Sequence, residues 1–299
     1  MEKTIVILTL IGILGALNTL LLLMQSVAVK KPNQQKAYFD DCSPRKFYIT
    51  GDKHRNFTGV IQFCSDMNTR RKDVLIILGD SGFNYFMDTR DEQLKEEVSR
   101  INITLFCLYG NKECRPENVG GYGIRNFCGG KVYYEPRYPN IYFAIDGEIY
   151  TFEGKKYMVV GGAHSVDKVY CLSEGVPFWE DEMPDDNIRA RVESRLADEG
   201  NTIYGIMTHT CPIAYLPTEM FISTRRNDEN KKMPDGDDKV FKPDIDRSTE
   251  EWLGKIENKI SYQVWYCGHY HVDKQLDRIR MMCNKIRPLH MDECGDYDE

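Results

Sequence analysis

Seven side chains in this sequence are of types that hold divalent cations, and each follows an apolar run. Val264 to Cys267 stops at Gly268 and then presents His269 and His271, two residues apart. In extended chain, residues i and i+2 point to the same side, so the pattern predicts two imidazoles delivered together past a buried strand. Four other apolar runs end similarly. Lys46 to Thr50 meets Gly51-Asp52-Lys53-His54, and Asp73 to Leu78 meets Gly79-Asp80. Ile103 to Tyr109 meets Gly110-Asn111-Lys112-Glu113, and Ile203 to Met207 meets Thr208-His209. Any one of these alone is an ordinary loop-end residue or helix cap; the ordered set of Asp52, His54, Asp80, Asn111, His209, His269 and His271 is not. Hard oxygen donors mixed with imidazole, without thiolate, suit Mn, Fe or Zn. Seven ligands exceed one ion and fit two, with one carboxylate bridging. Two ions about 3.5–4 Å apart can hold a hydroxide between them and clamp a phosphoryl group for in-line attack.

These residues need strands that alternate with helices. The sequence predicts helices over 59–69, from Thr89 to about Arg100, over 186–198 and from Ser248, with capping boxes at Thr89-Arg90-Asp91-Glu92 and Ser248-Thr249-Glu250-Glu251. Such alternation implies an α/β fold with a parallel or mixed sheet covered on both faces, whose site lies beyond the carboxyl ends of the strands. Gly120 to Gly130 reads as a loop near the site. Residues 141–152 and 156–160 read as a strand pair turning at Glu153-Gly154. Residues 223–247 are dense in charge and read as a partly ordered loop.

At 299 residues the chain can bury one sizeable core or two small ones, and 28% charged with 11% aromatic residues is a globular composition. A net charge of -7 gives no general attraction to nucleic acid or anionic lipid. With no basic, aromatic-interleaved face, a nuclease is disfavoured and no nucleic-acid partner is expected. The ten cysteines are scattered without a Cys-x-x-Cys pair; Cys64, Cys107 and Cys267 lie within apolar patterns, which points to free thiols and a reducing compartment.

Residues 4–29 carry no charge. As helix they would extend roughly 39 Å at ~1.5 Å per residue, more than a ~30 Å hydrocarbon core. Ser26-Val27-Ala28 resembles a signal-peptidase site, but the run exceeds the usual signal core of about 7–15 residues, so the expectation is an uncleaved single-pass anchor. Lys30, Lys31, Lys36, Arg45 and Lys46 follow it against only Lys3 before it, which places the C-terminal part in the cytoplasm. The organisation expected is an anchor over 1–30, a linker over 31–45, one catalytic domain over 46–290 and an acidic tail over 291–299.

The order Gly-Asp-x-His, Gly-Asp, Gly-Asn-x-Glu, Thr-His and Gly-His-x-His resembles the calcineurin-like metallophosphoesterase superfamily, over roughly residues 46 to 290. Val74 to Asp80 and Trp265 to His271 carry most of the resemblance; Gly161-Gly162-Ala163-His164-Ser165-Val166-Asp167-Lys168 is similar to small bacterial and phage-type members. The resemblance implies a four-layer α/β/β/α sandwich that hydrolyses phosphomonoesters or phosphodiesters. It implies that Asp52, His54 and His271 bind a first metal, that Asp80 bridges, and that Asn111, His209 and His269 complete a second. The chain departs from the family at three places. Lys112 stands where a histidine usually contacts the phosphoryl or leaving group, and an ammonium is a reluctant proton donor near neutral pH. Arg55 stands where glycine is usual and could crowd the site or bind phosphate. The second aspartate usual after Gly-Asp is absent, with Phe83 and Asn84 nearby. Lys112 and Arg55 are therefore the candidate catalytic cations. They also support a rival expectation, a metal-binding pseudoenzyme that recognises a phosphorylated ligand without turnover. His164 and Arg125 are further pocket candidates, and His290 reads as incidental.

Overall fold

Short apolar runs rich in β-branched and aromatic residues become the strands of two sheets. The structure is a computed structural model that describes residues 44–217 and 245–290. The expected anchor, most of the linker, most of the charged segment at 223–247 and the acidic tail lie outside the described residues. Among the described residues no helix is long and apolar enough to cross a membrane.

The first sheet has seven strands, β1 (Phe47–Thr50), β2 (Val74–Ile77), β3 (Thr104–Cys107), β4 (Gly123–Phe127), β5 (Gly130–Tyr134), β6 (Ile141–Ala144) and β13 (Arg287–Pro288), in the order β13-β1-β2-β3-β6-β5-β4. The second has six, β7 (Ile149–Phe152), β8 (Lys155–Val160), β9 (Gly205–Thr208), β10 (Val264–Cys267), β11 (Lys274–Leu276) and β12 (Ile279–Met281), in the order β11-β12-β10-β9-β8-β7. The runs β1-β2-β3-β6 and β12-β10-β9-β8 are parallel, and the pairs outside them are antiparallel.

Alternation along each strand separates three cores. Ile49, Ile76, Phe106 and Tyr142 of the first sheet meet Phe152, Val159, Met207 and Tyr266 of the second in one shared cluster. The opposite face of the first sheet, Tyr48, Leu75, Leu105 and Phe143, packs on α1 (Thr58–Asp66) and α2 (Thr89–Val98) through Val60, Cys64 and Val98. The outer face of the second sheet, Met158, Ile206 and Trp265, packs on α4 (Asp186–Asp198) and α5 (Ser248–Glu257) through Ile188, Val192, Leu196, Trp252 and Leu253. A short α3 (Lys168–Glu174) follows the Gly161–Lys168 run. The arrangement is a mixed α/β architecture with two mostly parallel sheets facing one another. All eight described cysteines are free thiols.

Several local expectations need correction. Gly120 to Gly130 does not remain a loop: β4 and β5 form a hairpin whose turn, Cys128-Gly129, has φ of 49° and 87°, the two positive values that a type I′ turn requires. Residues 141–152 are not one strand. The chain breaks after Ala144 and crosses to the second sheet, so only the turn at Glu153-Gly154 joins a true antiparallel pair. The first predicted cap is displaced: Asp88, not Thr89, accepts the Arg90 N–H, and Asp91 turns away to accept the Phe86 and Met87 N–H groups. At α5 no side chain caps the helix in the capping-box manner, and Glu250 instead accepts from the Thr210 hydroxyl at 2.7 Å.

Candidate metal centre

All seven candidate ligands stand at the carboxyl ends of neighbouring parallel strands. Asp52 and His54 follow β1, Asp80 follows β2 and Asn111 follows β3; His209 follows β9, while His269 and His271 follow β10. Of three bonds here, the last joins the two sheets and the other two lock neighbouring strand ends within one sheet. The Gly268 N–H donates to the His209 carbonyl at 2.9 Å, the His54 N–H donates to the Asp80 carbonyl at 2.8 Å, and His209 Nδ1 meets the Leu78 carbonyl at 2.7 Å.

The side chains form two groups. Asp52, His54 and His271 make one; Asp52, Asp80 and His209 make the other, with Asp52 common to both. Asp80 faces both ways, with Oδ2 3.7 Å from His54 Nε2 and Oδ1 3.7 Å from His209 Nε2. Asn111 Oδ1 lies 2.8 Å from His209 Nε2 and 3.1 Å from His269 Nδ1. The second group is buried, whereas His54 and His271 open to solvent.

The two histidines of Gly-His-x-His part company, His271 joining the first group and His269 meeting Asn111 beside the second, and the reason is conformational. They are not extended: His269 has φ of 68° and His271 of 52°. Asp80 and His54 are also left-handed, with φ of 47° and 42°. Non-glycine residues adopt this region at a cost and concentrate at functional sites, and four of the seven candidates do so here. The preceding glycines serve close approach. A methyl group on Gly110 would overlap the backbone nitrogen and Oδ1 of Asp80, and one on Gly268 would overlap Asp52 Oδ1.

The lone pairs test whether metal fits. His209 Nδ1 meets the Leu78 carbonyl, so in a neutral imidazole Nε2 is the acceptor. That lone pair faces Asn111 Oδ1, because the amide Nδ2 is committed to Ser165 Oγ at 2.7 Å. In that form two acceptors meet, and either a proton or a metal ion would reconcile them. His54 Nε2 and His271 Nε2 face each other at 2.8 Å, a similar crowding of ring nitrogens. A ligand histidine whose other nitrogen donates to a backbone carbonyl is the usual support of a metal site. The donor set fits divalent cations.

Electrostatics agree. Burial works to raise the Asp52 carboxyl, but bonds from His271 and the His269 N–H, with His209 nearby, hold it below the ordinary range. Burial and the Asp52 charge push Asp80 up against the pull of His209. Burial, helped by neighbouring His209, drives His269 down to about 3, so it is neutral and free to coordinate. His271 is raised by its hydrogen bond to Asp52, so a cation arriving there displaces a proton.

Both candidate catalytic cations are already engaged. Lys112 Nζ pairs with Asp167 at the start of α3. Arg55 pairs with Asp91, donates to the Gly82 and Arg90 carbonyls at 2.8 and 2.9 Å, and lies over the Phe86 ring. His164 joins neither group; its Nδ1 is 3.3 Å from Glu182 Oε1. Arg125 lies on the β4 edge over Tyr134 and Tyr142. His290 packs on Tyr157.

Three supporting residues escaped sequence reasoning. Ser165 orients Asn111, and Glu182 accepts the Ser165 N–H at 3.1 Å. Glu113 is fully buried and accepts from Ser81 Oγ at 2.6 Å, Gly82 N at 2.9 Å and Gly110 N at 3.3 Å, tying the β2 and β3 loops together. Burial pushes its carboxyl up to about 7. Ser165 and Glu113 both lie inside motifs with sequence signal, but their partners lie far along the chain.

No family model matches this chain, and no curated protein matches it. Solved structures similar to it include TT1561 of Thermus thermophilus, at 12% identity over 81% of this chain and 89% of that one, with a TM-score of 0.42. Phosphopantetheinyl hydrolase (PptH) from Mycobacterium tuberculosis is 13% identical over 80% of this chain and 88% of that one, with a TM-score of 0.38. Likenesses this distant carry no functional argument.

Proposed function

We propose that this chain is a metal-dependent phosphoesterase that hydrolyses a phosphomonoester or phosphodiester. The observation that carries the reading is the convergence of Asp52, His54 and His271 into one group and of Asp52, Asp80 and His209 into another, with Asn111 and His269 beside the second and the two Asp80 oxygens 3.7 Å from His54 and from His209. Two divalent ions, Mn, Fe or Zn, would supply activation of water and neutralisation of charge developing on the phosphoryl oxygens. Asp52, His54 and His271 would hold the solvent-facing ion; Asn111, His209 and His269 would hold the buried one, and Asp80 would serve both. The chain's own contribution is rigidity: strained backbone and supporting hydrogen bonds fix each donor before substrate arrives. The open side, flanked by His54 and His271, is where a phosphate ester would enter.

The four-layer sandwich, the anchor over 1–30, the linker over 31–45, the catalytic domain over 46–290, the tail over 291–299 and a cytoplasmic catalytic part belong to the same proposal, and they rest on sequence and resemblance.

One observation favours a second reading, a metal-binding pseudoenzyme that recognises a phosphorylated ligand. Lys112 and Arg55 are both neutralised by carboxylates, which leaves no evident acid for a leaving group. The deciding experiment loads the full chain with Mn and assays generic phosphomono- and phosphodiesters beside Asp80→Asn. Metal-dependent turnover abolished by the substitution is expected. Two bound metals without turnover would support the binder, and unchanged metal stoichiometry in Asp80→Asn would refute the shared role of Asp80.

A further inference from the structure

The helix that borders the candidate metal centre turns its apolar side outward. Val169, Tyr170 and Leu172 on α3 are 57%, 61% and 62% exposed, and Val166 in the turn before it is 50% exposed. Cys171, on the opposite side, is 2% exposed and is the one buried residue of the helix. Val169 and Leu172 stand three residues apart, with Tyr170 beside them, so the three share one broad helix face. Single exposed apolar side chains such as Ile61, Met67 and Ile124 are ordinary on a protein surface. A contiguous cluster is not, and such patches mark ligand grooves or docking surfaces.

The patch is continuous with the candidate ligands. Ser165 Oγ accepts from Asn111 Nδ2 at 2.7 Å, and Asp167, the residue before α3, pairs with Lys112 Nζ. Lys112 also donates its backbone N–H to Asp80 Oδ1 at 2.8 Å, so it spans from the ligands to the helix. Burial and the Cys171 thiol push the Tyr85 phenol up, while Lys112 and Arg55 pull it down. Tyr85 therefore stands near both α3 and the loop that carries His54. Charge and size narrow what covers the face. The helix has one cation, Lys168, which lies over the Phe178 ring, and one anion, Glu174, so nothing draws it to an anionic membrane. Its seven residues offer on the order of 100 Å², against roughly 800 Å² per partner in a stable interface. Continuity with the ligands favours an occupant that reaches both places. We infer that the ester this chain takes bears an alkyl or similarly extended apolar group, which lies along the outer face of α3 while its phosphate lies at the metal centre.

The inference rests on the phosphoesterase reading, and the test separates the two. The full chain, loaded with Mn, is titrated calorimetrically with ethylphosphonate and octylphosphonate, which hold no ester to cleave. It is then assayed on ethyl and octyl phosphate and on ethyl and octyl p-nitrophenyl phosphate, all below micelle-forming concentrations. A fully buried CH₂ is worth about fourfold in affinity; a helix face covers one side of an alkyl chain, so about twofold per CH₂ and roughly 60-fold from ethyl to octyl is expected. The octyl esters should gain similarly in kcat/KM. Val169→Ser combined with Leu172→Ser, both at exposed positions, should cut the octyl-to-ethyl ratio about tenfold in binding and in turnover. Tyr170→Ser carries the same test if the double variant does not fold. Equal binding and turnover of ethyl and octyl compounds overturns the inference and leaves the phosphoesterase reading standing. No binding and no turnover of either overturns both. An octyl preference that persists in the folded variants also overturns the inference. So does a dimer broken by the same substitutions without any octyl preference, which would assign the face to a second copy.

Discussion

Ser165→Ala tests the two proposed ion sites separately. Ser165 Oγ accepts from Asn111 Nδ2 at 2.7 Å, with Ser165 1% and Asn111 3% exposed. That bond decides which end of the amide faces the imidazoles. With alanine, the amide loses its anchor and can turn Nδ2 toward the His209 and His269 lone pairs, withdrawing the oxygen ligand. A net hydrogen bond is worth roughly 1 kcal/mol, and a buried amide left unpaired costs about 1–3 kcal/mol. Losing a residue that orients a ligand typically weakens metal affinity about 10–100-fold, which is about 1.4–2.7 kcal/mol and agrees with that range. The Ser165 N–H still reaches Glu182, so the loop is expected to persist. Ser165 bonds to Asn111 and Glu182 and to none of Asp52, His54 and His271, so the first ion should be untouched. Calorimetric titration of metal-free protein with Mn, with a metal count after dialysis, should show one site unchanged and one weakened about 10–100-fold. Two unchanged sites, or two equally weakened ones, would refute the reasoning.

Lys112→His should raise ester turnover by about 10²-fold or more if the reaction lacks an acid, the scale of general acid catalysis; a fall would give the lysine a role of its own. Gly110→Ala should lower both the melting temperature and the metal content, because its methyl group meets Asp80 backbone, with a cost of about 1–3 kcal/mol; a variant unchanged in both would contradict the tight fit. Asp73 is buried, which alone would raise its carboxyl, but Arg70 and the Lys46 and Arg70 N–H groups hold it below the ordinary value. Its stabilising contribution is therefore present above about pH 4, the ordinary aspartate value, and lost as pH falls through its folded pKa. Asp73→Asn should accordingly flatten the acid side of the stability curve in denaturant melts between about pH 2 and 6; an unaltered acid limb would rule out this contribution.

Much of the scaffold was legible because its signals are local. Val74 to Leu78 and Val264 to Cys267 are apolar runs closed by glycine, and each became a buried strand with its polar residues just past the end. The helix expected over 186–198 is present as Asp186–Asp198, with Ile188, Val192 and Leu196 on its buried face. The small strands β4, β5, β11, β12 and β13, at or next to the sheet edges, were missed because their residues are mixed in polarity, and only pairing with a neighbour makes them strands. The same holds for 141–152, where sheet membership changes after Ala144.

By itself, the sequence determined which residue types stand at the strand ends and in what order, since a strand terminus is written in a few consecutive residues. Tertiary structure alone decided how those residues combine. It brought His269 to Asn111 beside the buried group and His271 into the solvent-facing one, each on left-handed backbone, and it set one Asp80 oxygen 3.7 Å from His54 and the other 3.7 Å from His209. It also engaged Lys112 with Asp167, 55 residues away, and Arg55 with Asp91, 36 residues away. Side-chain pairing between distant segments depends on how two sheets stack and where loops cross, and no local pattern carries that information. The identities of the candidate ligands are therefore a sequence property, and their grouping in space is a property of the fold.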